Sequence, residues 1–415
     1  MAVALTVWMI AIVVVMIIYA GRHWVLTLNR LLGHQRPYMQ DIIDEDLPGV
    51  TVLVPMHNEE QVADGVLTAL LAQDYPADRL EIIPIDDHST DRTQKIMESY
   101  AVRNPRIRPI YRRGEGARGK PAGLNEALGI AGNEVILVFD ADYQPPPDIV
   151  RELALAFLDP EVGAVMGRVV PSNTASGFLA RLLDLERSGG YQVDQQARYS
   201  MNLVPQYGGT VGGFRRSVVL SWGGFDPYVL AEDTDLTFRL LVRGWRVAYA
   251  NKVECYEEAP QTWDARFRQL RRWARGHTQT MFRHWRRVLT SPNMTPAQRV
   301  DGMLLLGIYM IPPLILTGLG LSLALFITGT IPLAATLLLS FFAVGYNAFG
   351  NFAPFYQVGT AGVLDGMRER LFLLPYLFFM FLFNSWAVTL GAFDAVVDVL
   401  GGRVPTWEKT ARFRQ

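Results

Sequence analysis

The sequence predicts an α/β domain on a mostly parallel, helix-covered sheet, attached to α-helical transmembrane segments. Three observations predict it. Short β-branched runs alternate with helix-like stretches from residue 50 to residue 139. Acidic residues gather just beyond the ends of those runs, where open α/β sheets bind ligands. Residues 2–21, 303–364 and 371–393 carry no Asp, Glu, Lys or Arg, and about 20 apolar residues suffice to span a bilayer. At 415 residues the chain exceeds the roughly 150 expected of one domain, and the apolar stretches account for the excess.

The segment Val3–Tyr19 lacks the basic flank and small-residue cleavage site of a signal peptide, so a retained transmembrane helix is expected. Arg22, Arg30 and Arg36 follow it, and basic residues favour the cytoplasmic side, which places residues 34–300 in the cytoplasm. The expected organisation is a membrane helix over 1–33, a cytosolic domain over 34–261, amphipathic interfacial helices over 262–300, a membrane region over 301–400 and a cytosolic tail over 401–415. That makes a multi-pass protein integral to the plasma or inner membrane. Charge patterning leaves the topology in conflict. One helix before the domain and three after it (303–329, 331–350, 371–393) put the tail outside, but Arg403, Lys409, Arg412 and Arg414 argue for inside. Pro312-Pro313, Pro354 and Pro375 suggest that one segment is broken or interfacial, which restores an internal tail. The net charge of −1 is uninformative, and the lone Cys255 offers neither an intramolecular disulfide nor a zinc cluster.

Within the domain, strands are predicted over 50–54, 80–85, 107–111 and 135–139, and helices over 61–71, 92–102 and 122–130. The first strand runs into Pro55, Asn58 and Glu59, and the second into Asp86, Asp87 and Ser89. Carboxylates there suit the NH and OH groups of a nucleoside, although Asp87 and Ser89 can equally cap the next helix. Arg112 to Lys120 is a glycine-rich basic loop opening onto a helix, fit for an anionic diphosphate or simply solvated. It lacks the Walker A spacing. The fourth strand delivers Asp140-Ala-Asp142, and two carboxylates at i, i+2 suit one hard divalent cation shared with phosphate oxygens.

Glu232 and Asp233 follow a turn-rich approach. A carboxylate there can act as a general base, or it can start the helix that follows. Between Thr262 and Thr290 stand eight Arg against one acid, Asp264. Phe267, Leu270, Ala274, Met281, Trp285, Val288 and Leu289 fall on approximately one helical face, as in an interfacial helix or an amphipathic domain helix. It includes Gln269-Leu-Arg-Arg272-Trp273, where Arg can clamp phosphate and Trp can stack on a sugar or anchor at a bilayer.

In this order the motifs resemble those of membrane-integrated family 2 glycosyltransferases with a GT-A domain, the group containing cellulose, hyaluronan and poly-N-acetylglucosamine synthases. The resemblance covers residues 48–290 and the flanking helices. It implies nucleotide binding by Asp86 and Asp87, with Lys120 before an Ala-x-x-Leu-Asn stretch. Asp140 and Asp142 match the family's Asp-x-Asp, which implies Mg²⁺ or Mn²⁺. Asp233 matches the base of Thr-Glu-Asp, with Ala231 in place of Thr, and Gln269, Arg272 and Trp273 match Gln-x-x-Arg-Trp. Gly209 and Thr210 stand where cellulose synthases carry an acceptor motif, which is otherwise replaced. Neither a Phe-x-Val-Thr gating loop nor a cyclic-di-nucleotide domain is visible. Trp407, Lys409, Thr410 and Arg412 are similar in type to tails that cover the nucleotide pocket in some relatives.

The resemblance implies an inverting hexosyl transfer from a nucleotide sugar, expected to be UDP-linked, to a growing polysaccharide, processive and coupled to export. A single-transfer glycolipid synthase with a diacylglycerol- or ceramide-type acceptor is the alternative, and a non-catalytic membrane subunit a third reading. Membrane lipids are expected partners and nucleic acid is not.

Overall fold

The computed structural model describes residues 2–38, 47–114, 116–329 and 353–402. The segment expected at 331–350 and the tail residues Trp407, Lys409, Thr410 and Arg412 lie outside the described residues.

A long helix, α1 (Ala2–Leu32), leads into the domain. The domain then alternates β1 (Val50–Met56), α2 (Ala63–Leu71), β2 (Leu80–Asp87), α3 (Thr93–Arg103), β3 (Ile110–Arg112), α4 (Lys120–Ile130) and β4 (Val135–Val138). Both faces of β1, β2 and β4 are buried, as their unbroken apolar runs require of strands covered on two sides. The predicted strand 107–111 is shorter and later: Ile107 makes only an isolated parallel bridge to Ile82, and β3 begins at Ile110.

Beyond β4 come α5 (Ile149–Ala154), β5 (Val162–Pro171), α6 (Phe178–Ser188), a π-helical stretch Gly189–Gln195, α7 (Gln196–Ser200), β6 (Gly212–Arg215), α8 (Arg216–Leu220), α9 (Glu232–Leu241) and β7 (Arg246–Glu257). The seven strands lie in the order β3-β2-β1-β4-β6-β5-β7. All neighbours are parallel except those of β6, which runs antiparallel to both β4 and β5. Two glycines let β6 fit. A Cβ on Gly212 would stand 2.3 Å from the Val165 carbonyl, and one on Gly213 2.1 Å from that of Ile136. One apolar core lies on each face of the sheet.

The basic window forms one 28-residue helix, α10 (Trp263–Thr290), started by Thr262, whose hydroxyl accepts from Ala265 N at 3.2 Å. Its buried stripe includes Leu270, Ala274, His284 and Val288, while Trp285 and Leu289 of the expected apolar face are exposed. Next come α11 (Pro296–Gly307), opened by a Thr295/Gln298 capping box, and α12 (Ile311–Ile327). A helix over 353–364, α13, precedes α14 (Leu374–Gly401). Among the described residues three segments, Ile10–Leu32, Pro296–Gly318 and Arg368–Gly401, are long and apolar enough to cross a membrane.

Candidate active site

The parallel strands deliver their polar ends to one edge. Met56 pairs with Asp86, and Leu53 with Val138, so the residues after β1, β2 and β4 emerge side by side. Asn58 adopts φ +52°. Its backbone N–H donates to Ser89 Oγ at 2.9 Å and its side-chain oxygen accepts from Thr90 N at 2.7 Å. The Glu59 N–H donates to Thr93 Oγ1 at 2.8 Å, which ties the segment after Pro55 to the start of α3. Asp86 is fully buried, accepts from Ser89 N at 3.1 Å and pairs with Arg113. Asp87 takes Arg112 Nη1 at 2.6 Å and the Gly119 N–H at 2.6 Å, fixing the glycine-rich loop just before α4.

That loop places Lys120 at the centre of an acidic cluster. Its ammonium donates to Asp140 Oδ1 and to the Gly209 carbonyl, both at 2.8 Å, and lies 3.6 Å from Glu232 Oε1. Burial alone would lower the Lys120 pKa, but Asp140, Glu232 and Asp233 outweigh it and hold the group above its ordinary value. Glu232 is pushed up to about 7, chiefly by burial and also by the charge of Asp233, against the pull of Lys120. Asp140 N donates to Thr210 Oγ1 at 3.0 Å, while Asp142 is buried nearby.

The 209–211 loop under this cluster is strained, with Gly209 at φ +77° and the β-branched Val211 at +48°. Such a conformation costs on the order of 1–3 kcal/mol and recurs at functional sites. A Cβ on Gly209 would stand 3.1 Å from that of Asp233 and 3.5 Å from its Oδ2. The other carboxylate oxygen of Asp233, Oδ1, is held by Thr234 N at 2.6 Å.

The helices that follow the sheet close the far side. His277 on α10 brings both ring nitrogens within 3.4 Å of Thr234 Oγ1, its pKa lowered by burial, and packs 4.6 Å from Tyr309 at the break between α11 and α12. Neither His277 nor Tyr309 was expected at the site. The available signal was the position of His277 one helical turn past Trp273. Trp273 is half-buried, with the Arg266 guanidinium 5.7 Å from its ring centroid. Arg266 also donates to Gln269 Oε1 at 3.0 Å and to Glu186 Oε2 at 2.7 Å, so Gln269 is engaged there and not with the acidic cluster. Arg272 is half-buried on the same helix.

Residues 48–276 match the family model described as glycosyltransferase like family 2. The chain is a family 2 glycosyltransferase. A probable glycosyltransferase of Bacillus subtilis, YdaM, is 33% identical over 273 residues, covering 65% of this glycosyltransferase and 64% of the relative. A β-monoglucosyldiacylglycerol synthase of Synechocystis is 33% identical over 246 residues, 59% of this chain and 51% of that one. Glucomannan 4-β-mannosyltransferase 2 of Arabidopsis thaliana is 31% identical over 248 residues, 57% and 46% of the two chains. The matched region thus spans between about half and two thirds of these relatives' length. Among solved structures, the mannosyltransferase PcManGT of Pyrobaculum calidifontis, in complex with GDP-Man and Mn²⁺, superposes with a TM-score of 0.59. It is 22% identical and covers 85% of this chain and 98% of its own, so the glycosyltransferase shares the GT-A fold.

Proposed function

We propose that this glycosyltransferase moves a hexosyl group, with inversion, from a nucleoside-diphosphate sugar to a hydroxyl of a membrane-borne lipid. The observation that carries the reading is the packing beside Asp233: His277 approaches Thr234 and packs against Tyr309, which lies in the apolar segment Pro296–Gly318, so the acceptor side faces the bilayer. The β-monoglucosyldiacylglycerol synthase among the relatives supports a lipid acceptor. So does the Arg266 guanidinium beside Trp273, which competes for the ring face a glycan chain would stack on. The glucomannan mannosyltransferase supports the second reading, a growing glycan as acceptor.

In this reading Pro55, Asn58, Glu59, Asp86 and Asp87 frame the nucleoside. Asp233 Oδ2 takes the acceptor hydroxyl proton, the freed oxygen bonds to the anomeric carbon, and the bond from that carbon to the diphosphate breaks. Lys120 stands beside Asp140, placed to offset charge on the departing diphosphate. Asp140 and Asp142 supply hard oxygen donors, and no group of three or more His, Cys, Asp or Glu converges as a metal site among the described residues. That set fits an Mg²⁺ or Mn²⁺ ion that completes its shell with substrate phosphates and water. Bound there, the ion would neutralise diphosphate charge.

A product assay tests the acceptor. Purified enzyme in vesicles containing diacylglycerol is supplied in turn with radiolabelled UDP-glucose, UDP-galactose, UDP-N-acetylglucosamine and GDP-mannose. One glycosylated lipid is expected; a ladder of lengthening glycans would replace this reading with the second.

A further inference from the structure

By length and composition α14 is a membrane span, but its neighbours are those of a helix lying on a surface. Just before it, Arg370 pairs with Asp184 of α6. Within it, Asn384 donates to Glu186 at 3.0 Å, Arg271 holds Asp394 at 2.6 Å and Arg275 holds Asp398 at 2.6 Å. These partners belong to α6 and α10, which are part of the catalytic unit: α10 is bonded to α9 through His284 and Asp235 at 2.7 Å. The two helices run side by side and in the same direction. Trp263 and Phe383 rings lie 4.9 Å apart, and a Cβ on Gly391 would stand 2.2 Å from the Arg271 carbonyl.

Distance decides between spanning and lying flat. From Arg370 to Asn384, residues 371–383 form the longest run without a polar partner from the catalytic unit. Thirteen residues rise about 20 Å as a helix, against roughly 30 Å of hydrocarbon. By contrast α1 is free of charge over 2–21, about 30 Å, and its polar ties gather at the end of that stretch: Tyr19 donates to the Leu304 carbonyl at 2.6 Å, and Arg22 pairs with Asp194 and Asp301. The face of α14 turned away from the enzyme exposes Phe379, Leu382, Trp386, Phe393 and Leu400. That stripe follows helical spacing, and two adjoining segments are themselves membrane-type.

We propose that α14 does not cross the bilayer but lies in the plane of its surface, on the side of the catalytic domain. Its exposed stripe is immersed in the acyl boundary and its other face carries α6 and α10. The partner is the lipid surface itself, and the inference rests on packing alone, independent of which acceptor the enzyme uses. The mouth of the active site beside α10 is thereby set at headgroup level.

Nitroxide labels test it in the full-length protein. Single cysteines replace Phe379, Trp386, Phe393 and Leu400, with Val14→Cys on α1 as a reference. The protein is placed in vesicles of phosphatidylcholine and phosphatidylglycerol, and depth is read from collision with oxygen against a water-soluble nickel chelate. All four α14 labels are expected at one shallow depth, about 5–10 Å below the headgroups, while the Val14 position reads deep. A depth that rises toward Trp386 and Phe393 and falls again at Leu400 would overturn the proposal. Cys255 is fully buried, so Cys255→Ser gives the background. If that variant is unstable, the native residue stays and unsubstituted protein measures its labelling. In that case membrane-impermeant maleimide applied to each side decides: Tyr376→Cys and Leu400→Cys react from the same side if α14 lies flat, and from opposite sides if it spans.

Discussion

Asp86, Asp87 and Asp140 each stand within two residues of the end of their own strand, whereas Asp233 is held on α9 and hemmed by the 209–211 loop and, through Thr234, by α10. The first half of the site needs only the parallel sheet, because adjacent strands with a common direction bring their ends together. The second half needs α10 to dock before it is complete. A substitution in the first half should therefore act on donor binding, and one in the second half on turnover.

The largest expected effect breaks the acceptor half alone. Asp233→Asn should lower turnover by about 10²- to 10⁴-fold while nucleotide-sugar affinity, measured by calorimetry, stays within about 3-fold, less than 1 kcal/mol. Near-normal transfer by that variant would remove Asp233 from the role of base. Lys120→Met tests the seam between the halves, because its ammonium touches Asp140, Gly209 and Glu232. Breaking a fully buried pair costs about 3–5 kcal/mol, and the partial exposure of this cluster reduces that figure. Donor affinity should fall by about 10-fold or more, about 1.4 kcal/mol, together with the thermal midpoint. A variant that loses turnover but keeps donor affinity would place Lys120 on the acceptor side.

How much was legible in the sequence follows the same division. The strand-end half could be read because β1, β2 and β4 announce themselves as β-branched runs and their carboxylates follow immediately. β6 could not: Gly212-Gly213-Phe214-Arg215 has the composition of a turn, and it is a strand only because neighbouring carbonyls leave no room for side chains. His277 was hidden for a different reason. One of two histidines in an arginine-rich helix, it carries no periodic signal, and its partner Thr234 lies 43 residues away. The α10 period marks a face without saying where that face is covered: Leu270, Ala274 and Val288 are buried, Trp285 and Leu289 exposed.

Glu232 sharpens the comparison through pH. Its folded-state pKa of about 7 lies above the roughly 4.3 of an unfolded glutamate. Between those values the folded protein holds a proton that the unfolded chain has released. The stabilisation is therefore complete below about pH 4 and is lost as pH rises through 7. Glu232→Gln should flatten the fall in thermal midpoint from about pH 5 to pH 8, an effect of a few kcal/mol at most. An unchanged slope would locate the titration elsewhere.

The smallest effect tests whether the acceptor half depends on helix docking. Gly391 lets α14 approach α10 so closely that a Cβ would stand 2.2 Å from the Arg271 carbonyl and 2.9 Å from Ala274 Cβ. Gly391→Val must push the helices apart, and overpacking of this kind costs about 1–3 kcal/mol. The displaced helix carries Trp273 and His277 and no residue of the β1, β2 or β4 ends. Turnover should therefore fall while the donor KM holds, in protein whose midpoint in detergent drops by several degrees. If donor affinity falls in parallel, the two halves form one mechanical unit and their separation at Lys120 is only chemical.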